Sequence, residues 1–174
     1  MAIYQLVYAS QPTTLLRPRQ IGAILSEAVA NNQQIDVTGM LLVGKSYFFQ
    51  CLEGEEKTVE ALYAKIAQDS RHREVIRLHS GNAKERLFRE WSMKLFPSVD
   101  LERQLAAKID ESHFIPAQLT QGQVERVLHH ISTNREAVAA MASRQPKMVT
   151  APPTFWHRLQ RWLTFSTQRV ESPA

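Results

Sequence analysis

The sequence predicts an α+β sandwich: a mixed sheet with two helices on one face, followed by further helices at the C-terminal end. Three observations carry this. Apolar periodicity alternates between the strand period of two and the helical period of 3.6 along residues 1–96. Two apolar runs are joined by the turn-forming Gly44-Lys45-Ser46. Beyond Pro97 the pattern becomes helical, with a polar, proline-bearing break at residues 142–153.

Ile3 to Ser10 alternates Ile3, Gln5, Val7 and Ala9 against Tyr4, Leu6, Tyr8 and Ser10, as a strand with opposed faces requires. After Pro18, the positions Ile21, Ile24, Leu25, Ala28 and Val29 recur at helical spacing, and Asn31-Asn32 stand where the helix should end. Val37–Val43 and Tyr47–Leu52 read as a hairpin, with Glu53-Gly54 expected to break the sheet. Val59, Leu62, Tyr63 and Ile66 form the stripe of a second helix ending near Asp69-Ser70. Arg73–His79 and Phe88–Phe96 complete the strands, the latter alternating through Trp91, Met93 and Leu95.

The resulting order, βαββαββ, is that of a ferredoxin-like sandwich, in which the first and third strands are central neighbours beneath the helices. Tyr8 and Gln50 then lie on adjacent strands. A short helix near residues 100–109 and a longer one carrying Val124, Val127, Leu128 and Ile131 are expected to cover the opposite face. Residues 1–96 thus form the principal domain, 97–141 capping helices and 142–153 a polar, proline-bearing linker. Residues 154–174 form a basic tail, with Phe155, Trp156, Leu159, Trp162 and Leu163 on one side of an amphipathic helix.

The chain has 174 residues, enough for one domain with a proper core plus an extension. Its hydrophobic share of 44% excludes disordered and fibrous classes. The net charge of +4 comes from residues 141–174, where Arg144, Lys147, Arg158, Arg161 and Arg169 stand against only Glu171. The main domain therefore offers no basic face for nucleic acid. One cysteine, Cys51, excludes an internal disulfide. With no basic n-region, no long apolar run and only a weak amphipathic tail, a cytoplasmic location without a stable membrane anchor is expected.

Gly39-Met40-Leu41-Leu42-Val43-Gly44-Lys45-Ser46 matches the phosphate-binding loop pattern letter for letter. The match is rejected on context, because four apolar residues between the glycines read as a strand and another strand follows where a helix is needed. The six histidines lack metal-ligand spacing, so no metal is expected. Cys51 faces opposite to Gln50 and reads as a buried small hydrophobe, and no nucleophile elbow is present. No catalytic residue is assigned. Tyr8, Gln50, Asn31 and Asn32 remain as polar groups aimed where an ordinary core has none, either a hydrogen-bonded core pair with helix caps or the lining of a site.

Tyr8, Asn31-Asn32, Val37-Thr38-Gly39, Phe49-Gln50 with Leu52-Glu53-Gly54, Asp69-x-Arg71-His72 and Arg86-x-Phe88-x-x-Trp91-Ser92-Met93 together resemble the signature of the BLUF (blue light using FAD) domain, in order and spacing. The resemblance spans residues 1 to about 96 and, more loosely, extends to the helices of short stand-alone members of that family.

That resemblance implies bound FAD, with Ile24 and Ile66 sandwiching its ring and Asn31 and Asn32 bonding its pyrimidine edge. Lys65, Asp69, Arg71 and His72 would meet the ribityl and phosphate portion; Lys65 stands where Arg is frequent, keeping the charge and losing the fork geometry. Tyr8 is implied as the electron and proton donor, Gln50 as the amide that rearranges, and Trp91 and Met93 as the pair that responds. The expected output is altered contact with a downstream signalling protein, in a homo-oligomer, with no enzymatic domain in cis. A flavin-dependent enzyme and a cofactor-free ferredoxin-like interaction domain are the alternatives.

Overall fold

The computed structural model describes residues 2–14, 18–44, 46–89 and 99–134. Its elements are β1 (Ile3–Pro12), α1 (Pro18–Gln34), β2 (Thr38–Val43), β3 (Phe48–Gly54), α2 (Glu56–Ala67), β4 (His72–Ala83), α3 (Val99–Lys108), a 3-10 turn (Pro116–Gln118) and α4 (Gln121–Thr133). The strands lie in the order β2-β3-β1-β4.

The sheet is antiparallel at every one of its three described ladders, where a mixed sheet was expected. The reason is topological. Each crossover helix joins two strands that run the same way, and in both cases an antiparallel strand is inserted between them: β3 between β1 and β2, and β1 between β3 and β4. The fifth strand expected over Phe88–Phe96 lies outside the described residues except at Phe88 and Arg89, which sit in a turn. Trp91, Met93 and the tail 142–174 also fall outside them.

Period-two alternation divides the core in two. Tyr4, Leu6, Tyr8, Leu41, Phe48 and Leu52 meet Ile24, Ala28, Leu62 and Ile66 from α1 and α2. On the other face, Val7, Met40, Leu42, Phe49 and Cys51 meet Leu101 and Leu105 of α3 and Val124, Val127, Leu128 and Ile131 of α4. That α4 stripe is wholly buried, each such side chain contributing about 1.5–3 kcal/mol. A capping box starts the helix, the Thr120 hydroxyl accepting from the Gln123 amide while the Gln123 side chain accepts from the Thr120 amide.

Three boundaries differ from expectation. Asn31 and Asn32 lie inside the last turn of α1, which ends through Asp36 in the left-handed region (φ 51°) and a bond from the Val37 amide to the Asn32 carbonyl at 2.9 Å. Glu53 and Gly54 continue β3 and do not end the sheet, since Glu53 pairs with Gln5 on one side and Thr38 on the other. β4 runs on to Ala83. The phosphate-loop look-alike is strand, as its context required: Met40 to Val43 pair with Cys51 to Phe48. Gly39 is there for close approach, because a Cβ would sit 2.0 Å from the Cys51 carbonyl oxygen.

Candidate functional site: an amide-lined cavity between two helices and the sheet

Directly opposed in the β1–β3 ladder, Tyr8 and Gln50 both point at the helices. The Tyr8 hydroxyl donates to the Gln50 Oε1. Tyr8 is 1% exposed and Gln50 4%. Burial first, and then the charges of Tyr63 and Asp69, push the Tyr8 phenol well above its ordinary value, so it keeps its proton at physiological pH. Its ring lies 5.6 Å from that of Tyr63, over which the Arg77 guanidinium sits at 4.8 Å. The β1–β4 ladder shifts register between Val7 and Tyr8 and again between Ala9 and Gln11, while the β1–β3 ladder runs unbroken past the pair.

Above this pair is a cavity of about 450 Å³. Every described residue singled out from the sequence lines it: Tyr8, Ile24, Asn31, Asn32, Gln50, Lys65, Ile66, Asp69, Arg71 and His72. Helical spacing brings Ile24, Asn31 and Asn32 to the lining from α1, and Lys65 and Ile66 from the last turn of α2. Asn32 is 2% exposed.

Asp69 and Arg71 come from the turn before β4, and His72 is the first residue of that strand. The Arg71 Nη1 donates to Glu27 at 2.7 Å, and its Nε donates to Asp69 at 2.9 Å, so this side chain bridges α1 and the turn. Burial opposes charge on Asp69, but the Arg71 bonds outweigh it and hold the carboxyl below the usual range. His72 is pushed down to about 4, chiefly by burial. It is therefore a neutral ring at pH 7, with Nδ1 2.8 Å from the Ser10 hydroxyl and its face 4.5 Å from the Phe48 ring.

Glu27, Leu41 and Leu62 also line the cavity and were not singled out from the sequence. Glu27 stands three residues after Ile24 and four before Asn31, so helical period alone places it on their face. Leu41 is the cross-strand partner of Gln50, which only the register reveals.

The donor set suits a flat ligand with a polar edge. Ile24 and Ile66 reach the cavity from separate helices, while the carboxamides of Asn31, Asn32 and Gln50, with those of Gln34 and Gln68, offer both donors and acceptors. The volume falls in the range of small-molecule sites. Fold and site thus define a domain with room for one such ligand between two helices and a sheet, with a tyrosine–glutamine pair in the cavity wall.

Residues 3–94 match the family described as BLUF, sensors of blue-light using FAD, and the chain belongs to it. The chain is 42% identical over 78 residues to the blue light- and temperature-regulated antirepressor BluF of Escherichia coli (strain K12), covering 45% of this chain and 19% of that protein. It is 37% identical over 89 residues to photoactivated adenylate cyclase subunit beta of Euglena longa, covering 51% and 10% respectively. It therefore spans only a fifth or less of the length of these curated relatives. Among solved structures, BlsA in its ground state superposes with a TM-score of 0.72 at 30% identity, over 86% of this chain and 94% of that one. The chain is thus a flavin-based blue-light sensor, and the residues of its cavity fit FAD.

Proposed function

We propose that Tyr8 is the electron and proton donor of this receptor, that Gln50 is the group that rearranges, and that the output is altered contact with a separate protein. The observation that carries the switch is the Tyr8–Gln50 hydrogen bond in the wall of the amide-lined cavity. FAD supplies the absorption of blue light and, when excited, oxidising power. Tyr8 holds its proton until it loses an electron, and its bond then directs that proton toward Gln50 Oε1. A carboxamide with one donor end and one acceptor end answers by turning or changing tautomer, which rewires the network without a covalent bond.

In this reading Ile24 and Ile66 sandwich the ring, and Asn31 and Asn32 hold its polar edge. Lys65, Asp69, Arg71 and His72 serve the ribityl and phosphate portion, Arg71 being oriented by Glu27 and Asp69. Trp91 and Met93 pass the change to residues 97–141, and the tail helix of 154–174 docks on this cap, a second copy or the partner. The chain acts in the cytoplasm as a homo-oligomer, with a downstream signalling protein as effector and no enzymatic activity of its own. Among the described residues no helix is long and apolar enough to cross a membrane. That one relative is named an antirepressor supports an output through protein contact.

The test is spectroscopic. The purified 174-residue chain should be yellow, with flavin bands that shift reversibly to the red under blue light. Flavin that stays bound without shifting would remove the switch and leave the enzyme reading.

A further inference from the structure

Tyr8–Gln50 has a counterpart on the other face of the same ladder. Three residues away, about 10 Å along the strands, Gln5 and Glu53 are also direct cross-strand partners, and they point toward α3 and α4. Glu53 is 0% exposed, a carboxylate on a core face otherwise built from Val7, Phe49 and Cys51. Burying such a group is unfavourable unless its oxygens are satisfied, and an apolar side chain would fill the space without that requirement.

Its partners show what it does there. Oε1 accepts from the Gln5 Nε2 at 2.9 Å and from the Leu87 backbone amide at 2.9 Å. Oε2 accepts from the Phe88 backbone amide at 3.0 Å and from the Thr38 hydroxyl at 3.5 Å. All four are donors, and two are successive peptide amides of the segment that follows β4. The same segment is held a second time: Arg86 donates to the Asp36 carboxylate at 2.7 Å, to the Asp36 carbonyl at 2.8 Å and to the Thr38 hydroxyl at 3.2 Å. Asp36 and Thr38 flank the junction between α1, which carries Asn31 and Asn32, and β2.

We propose that Glu53 is a positioning residue that ties segment 86–89 to the β1–β3 ladder, so that a shift of β3 at Gln50 is transmitted to the chain just before Trp91 and Met93. Peptide amides bonded to a buried carboxylate follow its backbone closely, because charge-assisted bonds are short and directional. Gln50 and Glu53 share that backbone, on opposite faces. The light-dependent half of this inference rests on the photosensory reading; the tether itself does not.

The experiment is amide hydrogen exchange on the full chain loaded with FAD, comparing wild type with Glu53→Gln in darkness and under blue light, alongside the flavin spectrum. Glu53→Gln keeps the shape but replaces one acceptor oxygen by a donor. In darkness Leu87 and Phe88 should exchange faster in the variant by about tenfold or more, as expected when a charge-assisted bond is lost. Under light the variant should keep the full red shift, while the light-minus-dark exchange difference over 86–98 seen in wild type disappears. Wild-type exchange at Leu87 and Phe88 in the variant overturns the tether; an undiminished light-minus-dark difference overturns the transmission. A wild-type chain without a red shift defeats the photosensory reading instead, and the dark comparison still decides the tether. Should Glu53→Gln fail to fold, Glu53→Asp, which keeps the charge one methylene short, is expected to give the same pattern in weaker form; wild-type exchange there overturns the tether equally.

Discussion

The Tyr8 hydroxyl donates to the amide oxygen of Gln50, its direct cross-strand partner, and the two side chains form one wall of the cavity between α1 and α2. Tyr8→Phe removes the donor and keeps the ring that packs on Tyr63. FAD should remain bound, with the light-induced red shift abolished, and stability should fall by about 1 kcal/mol for the acceptor left behind. A normal photocycle in this variant, followed by absorption spectroscopy, would remove Tyr8 from the switch.

Gln50→Ala takes away the one carboxamide that the described strands contribute to the cavity lining. The protein should still take up flavin, held by the lining from α1 and α2, and show no red shift because no amide remains to rewire. Difference spectra before and after illumination decide this, and a persisting shift would assign the switch to another group.

Asn32 is assigned to holding the ligand. Asn32→Ala should weaken FAD by about 1–3 kcal/mol, the penalty for an unpaired buried polar edge, or roughly 5-fold to 150-fold in dissociation constant. Fluorescence titration of released flavin reads this directly. Unchanged affinity would make Asn32 a helix-end residue alone, through its carbonyl bond to Val37.

His72 makes stability depend on pH. Its folded-state value is depressed from 6.5 to about 4, so the unfolded chain binds the proton more readily. The stabilisation is complete above the unfolded value and is lost as pH falls from about 6.5 toward 4, by up to about 3 kcal/mol. Urea unfolding at pH 7.5 and pH 5 should show this decline in wild type and a smaller one in His72→Gln. Equal declines would place the acid sensitivity elsewhere.

Gly39→Ala tests the rejected phosphate loop. With its Cβ 2.0 Å from the Cys51 carbonyl, the substitution must push β2 away from β3 and should cost more than about 3 kcal/mol in unfolding free energy. A variant of wild-type stability would show that β2 and β3 do not approach so closely there.

Local chemistry makes much of this legible in the sequence. Period-two alternation placed Tyr8 and Gln50 on one face and Cys51 on the other, and the α4 stripe announced a second buried face, because side-chain direction follows directly from backbone period. The resemblance carried by Asn31-Asn32, Asp69-x-Arg71-His72 and their neighbours named the ligand and selected ten residues that prove to share one cavity. What periodicity could not reach was anything set by the register between strands or by contacts across long sequence separation. Glu53-Gly54 reads as a break in the sheet from local pattern; only the arrival of the Leu87 and Phe88 amides, more than thirty residues later, makes the Glu53 carboxylate belong in a core face. Glu27 as the partner of Arg71, Leu41 as the neighbour of Gln50, and the antiparallel sense of every described ladder were likewise decided by the tertiary structure. Pairing energies depend on which groups meet in space, and a single chain's local pattern does not contain that meeting.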